Sequence, residues 1–240
     1  DNTHRVHLWN LEKMESSGAL EAHQEQIRAL GFTKDGQRLK TVGRDGFAEW
    51  EVANRRLRKF VKARVPPAAM GSVYADADRA FVSYGRPRSA ADLWSLSSGK
   101  KLRSFEGHDD AVYGVGLSPD GLWAVTGAWD GKLIQWDART GKKLKVIRTG
   151  PRVNGADVHP SGEWVGVADA DGKARLYHLN SGQEMVFGGH SSEVNHLAFS
   201  QDGERVITGG DDGTVRLWRV RDGRPLWTTT GLFSSPARLL

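Results

Sequence analysis

Residues Gly107–Leu144 read GHDDAVYGVGLSPDGLWAVTGAWDGKLIQWDARTGKKL, and residues Gly189–Leu226 read GHSSEVNHLAFSQDGERVITGGDDGTVRLWRVRDGRPL. The two share a Gly-His pair, an SPDG or SQDG turn, a TG step into an Asp-Gly, and a run ending in tryptophan. The endings VHLW, FAEW, ADLW, LIQW, ARLY and VRLW extend the pattern along the chain. They place Trp9, Trp50, Trp94, Trp136, Tyr177 and Trp218 at spacings of 41, 44, 42, 41 and 41 residues. A self-similar period near forty marks a repeat architecture and takes precedence over any local assignment.

Within each unit the turn signals also repeat. Gly36, Gly121, Gly162 and Gly203 close TKDG, SPDG, HPSG and SQDG turns between two apolar runs, which reads as a hairpin whose glycine needs positive φ. A second Asp-Gly begins at Asp45, Asp130, Asp171 and Asp212, and a third turn carries Gly99, Gly141, Gly182 and Gly223, each five residues past the aromatic. Three turns per unit imply four strands. The runs between them, such as ERVITGG and TVRLWRV, are short, rich in β-branched and aromatic residues, and often alternating, with no long helical period. Such four-stranded units cover their apolar faces by stacking radially, the propeller arrangement.

These residues resemble the WD-repeat β-propeller family, in which the Gly-His pair, the SPDG turn, the TG..DG step and the terminal Trp stand in the same order. The resemblance covers the whole chain and is weakest over residues 63–94, where Gly-His is missing and SYGRPRSAADLW lacks an Asp-Gly. The expected fold is therefore all-β, a propeller of four-stranded antiparallel blades. The expected division is a blade remnant at 1–22, complete blades at about 23–62, 63–106, 107–148, 149–188 and 189–230, and the start of a further blade at 231–240. Five complete blades with partial blades at both ends fit closure at six or at seven; seven is the commonest count in the family, so they read as part of a seven-bladed ring, to which further domains of a longer chain can be attached.

Composition narrows the chemistry. The apolar fraction of 38%, with 29 glycines in 240 residues, is that of a globular chain. No apolar run approaches the length of a membrane span. The absence of cysteine excludes disulfides and zinc-thiolate sites and leaves the compartment open. A net charge of +5 is modest for this length and argues against nucleic acid as the main partner. No histidine pair has a metal-ligand spacing, and the glycines are isolated turn residues rather than a phosphate loop, so no metal or cofactor is expected. GDDGT lacks the later Glu of a calcium loop.

His108, near Asp130 and Thr126, could suggest a hydrolytic set. However, His23, His108 and His190 each precede a threonine (Thr41, Thr126, Thr208) by 18 residues and an aspartate (Asp45, Asp130, Asp212) by 22, and Trp50, Trp136 and Trp218 follow by 27 or 28. A catalytic set has no reason to occur three times at fixed spacing, whereas a structural device does. Asp accepts from one imidazole nitrogen, the other nitrogen pairs with the Thr hydroxyl, and that hydroxyl accepts the indole proton. The resembling family uses this chain to tie turns to strands. No catalytic residue is assigned, and no enzymatic activity is expected.

Function then falls to the loops. The family's favoured contact positions fall here on Arg28 and Arg44, Tyr113 and Trp129, Asn154 and Ala170, and Asn195 and Asp211, with Gly71 and Pro87 in the divergent blade and Arg86 and Arg88 beside the latter. Arg28, Arg44, Arg86, Arg88, Tyr113 and Trp129 form an arc of residue types that dominate binding hot spots, and Asn154, Ala170, Asn195 and Asp211 form a smaller, less basic one. The expected role is a non-catalytic scaffold binding a protein or peptide, acidic or phosphorylated, through the loop face. The alternative is nucleic-acid or polyanion binding through basic outer strands, since Asn54–Arg64 (NRRLRKFVKAR) has six basic residues in eleven and GKKLRSF and GKKLKVI occupy the same place in later units. Lysines on such strands also discourage unwanted edge pairing. WDAR at Trp136–Arg139 resembles the Trp-Asp-x-Arg box of ubiquitin-ligase substrate receptors, over four residues of which two are set by the fold.

Overall fold

The computed structural model describes residues 4–10, 15–33, 35–65, 69–72 and 78–229, with the backbone alone at 9, 10, 15, 28, 29 and 69–72. Residues 231–240, read as the start of a further blade, lie outside the described residues, as do the side chain of Arg28 and everything beyond the backbone at Gly71. The described chain is all strand and turn. Strands β1 (Arg5–Asn10) and β2 (Glu15–Glu21) pair antiparallel. Five four-stranded sheets follow. The first blade is β3 (Ile27–Phe32), β4 (Arg38–Gly43), β5 (Gly46–Glu51) and β6 (Arg56–Lys62). The second is β7 (Ala69–Ser72), β8 (Arg79–Tyr84), β9 (Ala90–Ser95) and β10 (Lys101–Glu106). The third is β11 (Val112–Leu117), β12 (Trp123–Ala128), β13 (Lys132–Asp137) and β14 (Lys143–Arg148). The fourth is β15 (Val153–Val158), β16 (Trp164–Asp169), β17 (Lys173–His178) and β18 (Glu184–Gly188). The fifth is β19 (Val194–Phe199), β20 (Arg205–Gly210), β21 (Val215–Arg219) and β22 (Pro225–Thr229). Strands neighbour one another in chain order within every sheet, which makes each a propeller blade.

By contact density the chain divides into residues 1–82 with 92–102, and residues 83–91 with 103–240, the division passing through the sheet β7–β10. In the first unit, Leu39, Ala48 and Trp50 bury against Val6 and Leu20 of the two-stranded sheet. In the second, the first strands of successive blades pack together, β11 on β15 and β15 on β19. Glycine permits the approach, since a Cβ on Gly114 would lie 2.6 Å from the Ala156 backbone nitrogen. Val125 and Leu133 of the third blade then meet Val153, Val165 and Val167 of the fourth, and Ala174, Leu176 and Phe187 of the fourth meet Val194, Val206 and Trp218 of the fifth. Full burial of each such Leu, Val or Phe is worth about 1.5–3 kcal/mol. In the SPDG turn, Gly121 takes φ +69° while Asp120 accepts from the Ser118 hydroxyl at 2.6 Å and the Leu122 amide at 2.9 Å.

Three blades carry the same buried relay. In the third blade the Trp136 indole donates to Thr126 Oγ1 at 2.8 Å, Thr126 Oγ1 lies 2.7 Å from His108 Nε2, and His108 Nδ1 lies 3.0 Å from Asp130. Because the hydroxyl accepts the indole proton and gives its own to Nε2, Nδ1 carries the proton donated to the carboxylate. The first blade links Trp50, Thr41, His23 and Asp45 at 3.2, 2.7 and 2.7 Å. The fifth links Trp218, Thr208, His190 and Asp212 at 2.9, 2.8 and 3.0 Å. The three threonines are fully buried, so no hydroxyl is presented to a substrate. Each carboxylate also accepts the amide following the histidine, which fixes the loop: Gln24 to Asp45 at 2.6 Å, Asp109 to Asp130 and Ser191 to Asp212 at 3.0 Å.

The other two blades differ. In the fourth, Thr149, Val167 and Tyr177 occupy the positions of the histidine, threonine and tryptophan, and Asp171 is gripped by Arg175 instead. Arg175 Nη1 and Nη2 reach Asp171 at 3.0 and 2.6 Å, Nη1 also reaches the fully buried Asp169 at 2.6 Å, and Nε lies 3.2 Å from Glu184. In the second blade Val82 stands at the fourth position of β8 where β4 has Thr41, and the buried indole nitrogen of Trp94 has no acceptor among the described residues.

Candidate functional site

A β-bulge recurs at the start of four blades and sets the geometry of the loop face. The register slips between Ile27 and Ala29, Val112 and Gly114, Val153 and Gly155, and Val194 and His196, leaving Arg28, Tyr113, Asn154 and Asn195 without a cross-strand partner. A bulge bends its strand and re-aims a side chain, which explains why Tyr113, Asn154 and Asn195 are left partly exposed rather than buried. Just beyond it, the amides of Arg44, Trp129, Ala170 and Asp211 donate to the carbonyls of Gln26, Ala111, Arg152 and Glu193 at 2.9–3.2 Å. Each of these four blades therefore brings two such positions side by side. In the third they are the rings of Tyr113 and Trp129, stacked with centroids 4.6 Å apart and 19° between planes. In the fifth they are Asn195 and Asp211, joined by a hydrogen bond.

Trp129 is the centre of a wider cluster within the second unit. The Arg152 guanidinium lies 4.8 Å from its ring centroid, and its indole N–H donates to Asn154 Oδ1 at 3.0 Å. Asn154 in turn donates to Glu193 and to the Val194 carbonyl, and Arg152 donates to Glu193 at 2.8 Å. Asn154, which the sequence assigns to the smaller arc, is thus bonded to Trp129 of the larger one. Arg86 forks onto Asp110 with two bonds of 2.6 Å, and this pairing, reinforced by the Ala111 amide, holds the Asp110 carboxyl below the usual carboxylate range. Arg88 lies over the Tyr84 ring at 4.4 Å. Arg44 belongs to the first unit, where its Nε is 3.5 Å from Glu25.

Arg152, Glu193 and Asp110 escape the sequence reading because they reach their partners from neighbouring blades, which no repeat spacing records. The basic outer strands are also partly committed. Arg56 and Arg58 pair with Glu51 and Glu49, Lys59 donates to the Ser97 carbonyl, and Lys143 and Lys145 donate to the carbonyls of Gly107 and Leu179. Among the described residues no group of three His, Asp or Glu is placed to hold a metal ion, and no helix is long and apolar enough to cross a membrane.

A family model for the WD domain, G-beta repeat, matches residues 99–137, 141–178 and 182–219. WD repeat-containing protein 3 of Homo sapiens is 28% identical over 134 residues, 53% of this chain and 14% of that protein. Protein groucho of Drosophila melanogaster is 26% identical over 122 residues, covering 50% and 16%, and mitochondrial division protein 1 of Saccharomyces cerevisiae is 27% identical over 144 residues, covering 60% and 16%. The matched stretch is thus a small part of each relative's length. With three matched repeats, recurrent Asp-His-Thr-Trp relays and five four-stranded blades, the chain belongs to the WD-repeat β-propeller family, whose members are generally non-catalytic interaction scaffolds.

Proposed function

We propose that this chain is a non-catalytic platform that docks a partner protein or peptide through the loop face of its blades, with Trp129 and Tyr113 as the anchor. The observation that supports this most is the construction around Trp129. Its ring is partly exposed, yet it is held by a stacked tyrosine, a guanidinium and a hydrogen bond to Asn154. A rigid, partly exposed aromatic with little entropy left to lose is what an interface hot spot requires.

The partner chemistry that fits is an apolar or aromatic side chain flanked by an acidic or phosphorylated one. Arg86 uses Nε and Nη2 on Asp110, and Arg152 uses Nη2 on Glu193, so each retains donors of its five. Because each already faces a carboxylate, an incoming acid shares or displaces a partner rather than forming a wholly new ion pair, and it contributes to selectivity more than to affinity. The polyanion reading draws less support, since the most basic strand is interleaved with Glu49 and Glu51 pairs.

The test compares crosslinked partners recovered by the wild-type chain and by Trp129→Ala and Tyr113→Ala variants, with Leu122→Ala as a distant control. Partner recovery is expected to fall by about tenfold or more in both ring variants and to hold in the control. Unchanged recovery with Trp129→Ala, in a protein that melts as the wild type does, would overturn the anchor assignment.

A further inference from the structure

We infer that the outer edge of the third blade is a second docking site, which takes an extended acidic segment of another protein as an added fifth strand. β14 is the last strand of its sheet; a register slip opposite Gln135 and Trp136 leaves Leu144 unpaired, and beyond it alternate backbone N–H and C=O groups along Lys145–Arg148 face away from β13. Among the described residues no other strand pairs with that edge. Leu144, at the slip, and Val146 beyond it are 56% and 49% exposed. Around them Lys142, Lys143, Lys145 and Arg148 place four cations in seven residues with no carboxylate between them. Lys143 and Lys145 bond to backbone carbonyls, which are neutral acceptors, Lys143 also feels the Asp109 carboxylate, and Lys142 and Arg148 are exposed without an ion pair among the described residues.

Three other outer strands do not combine these features. On β6, Arg56 and Arg58 face Glu51 and Glu49. On β10, Lys101 lies 3.8 Å from Asp92, and Leu102 is the one large exposed apolar residue. On β18, Glu184 is paired with Arg175. Edge lysines on their own repel stray strands. That purpose is served without two exposed aliphatic side chains, whose only physical gain comes from being covered. Lysines beside an apolar row select instead: they resist a neutral or basic strand, which would bury uncompensated charge, and accept an acidic one. The occupant that matches is a segment alternating aliphatic residues with Asp or Glu, its aliphatics against Leu144 and Val146 and its main chain paired with β14.

The probe is a fluorescein-labelled peptide of about eight residues alternating valine and glutamate, the length of an ordinary strand. Binding is read by fluorescence anisotropy, with a valine–lysine peptide and a single-stranded oligonucleotide tested alongside, and amide hydrogen exchange is followed over residues 143–148. Saturable binding of the acidic peptide is expected, with slowed exchange along β14 and no binding of the basic peptide. Both Leu144→Ser with Val146→Ser and Lys142→Glu with Arg148→Glu should weaken it about tenfold or more while the melting temperature holds, because all four side chains are exposed. Equal binding to either variant, binding without protection of β14 amides, no binding at millimolar peptide, or oligonucleotide binding that the peptide cannot displace would each overturn the proposal.

Discussion

In the third blade the turn carboxylate Asp130 is held by an imidazole, and in the fourth the equivalent Asp171 is held by a guanidinium. The exchange is a change of system rather than of one residue. Where His108, Thr126 and Trp136 stand in the third blade, the fourth has Thr149, Val167 and Tyr177, so no indole N–H or strand hydroxyl remains that needs a histidine. In return β16 ends in the fully buried Asp169, which shares Arg175 with Asp171. The relay buries neutral dipoles that end in one carboxylate, whereas the clasp sets a guanidinium between two carboxylates, one of which, Asp169, burial pushes up to about 7 against the pull of Arg175. The comparison teaches that the turn carboxylate is the common element, and that either an imidazole or a guanidinium can hold it.

That difference sets the size of the response to breaking each one. Arg175→Met removes the cation that Asp169 and Asp171 share; because burial already pushes the Asp169 carboxyl up to about 7 and lets it take up a proton, the loss is expected at about 3 kcal/mol, the lower end of the usual cost of taking one partner from a buried ion pair. For a chain of this size that is roughly a 10 °C fall in Tm. His108→Ala breaks hydrogen bonds to a hydroxyl and a carboxylate and is expected to cost less, about 2–3 kcal/mol. Denaturant melts of the two variants measure the order directly, and a larger loss from His108→Ala would mean that the clasp is not the stronger constraint.

Acid distinguishes the two blades further. Burial lowers the affinity of His108 for a proton, with Asp130 working against it, so the folded chain binds that proton less readily than the unfolded one. The stability from a neutral, bonded His108 is therefore present above its ordinary value of about 6.5 and is lost as pH falls below it. Asp157 acts in the opposite sense: burial, opposed by the Phe199 and Val158 amides, pushes its carboxyl up to about 6, so proton uptake there favours the folded state between about 6 and its ordinary range. Comparing wild type with His108→Ala cancels Asp157. The Tm gap between them should narrow from pH 7.5 to pH 5.5, and a gap that widens would show that the bound imidazole is protonated in the fold. The fifth-blade carboxylate stays outside this window. Burial opposes its charge, but hydrogen bonds from His190, Thr214 and two amides hold Asp212 down at about 2, so its contribution is lost only as pH falls from about 3.8 through that value.

How far sequence reaches follows from the same contrast. The forty-residue period and the four-strand unit are legible because turn glycines and strand-ending aromatics recur at fixed spacing, and spacing along the chain is all that a relay within one blade needs. The Arg175 clasp leaves no such mark. Arginine also stands at the equivalent Arg216, where it lies beside Thr214 instead, and the buried Asp169 that gives Arg175 its role replaces Ala128 and Gly210 of the neighbouring blades. The surroundings of Trp129 are hidden for another reason. Asn154, Arg152 and Glu193 come from two further blades, and a contact between blades depends on the packing of β11, β15 and β19 rather than on any repeat.

The smallest expected effect belongs to the second blade, which has neither system complete. Trp136 and Trp94 end equivalent strands, but the Trp136 indole bonds Thr126 while the Trp94 indole nitrogen is buried without an acceptor among the described residues. Tryptophan to phenylalanine removes a ring and an N–H at either place. At Trp136 the change also strips a donor from the Thr126 hydroxyl. At Trp94 it removes a buried group that gained nothing from folding, so the lost packing is offset by the end of a desolvation penalty. Trp94→Phe is therefore expected to cost about 1–2 kcal/mol less than Trp136→Phe, the net worth of one satisfied buried hydrogen bond plus the relief of one unsatisfied group. Equal losses in paired denaturant melts would show that the Trp94 nitrogen is satisfied, by water or by a residue beyond those described, and that the second blade is closer to its neighbours than its sequence suggests.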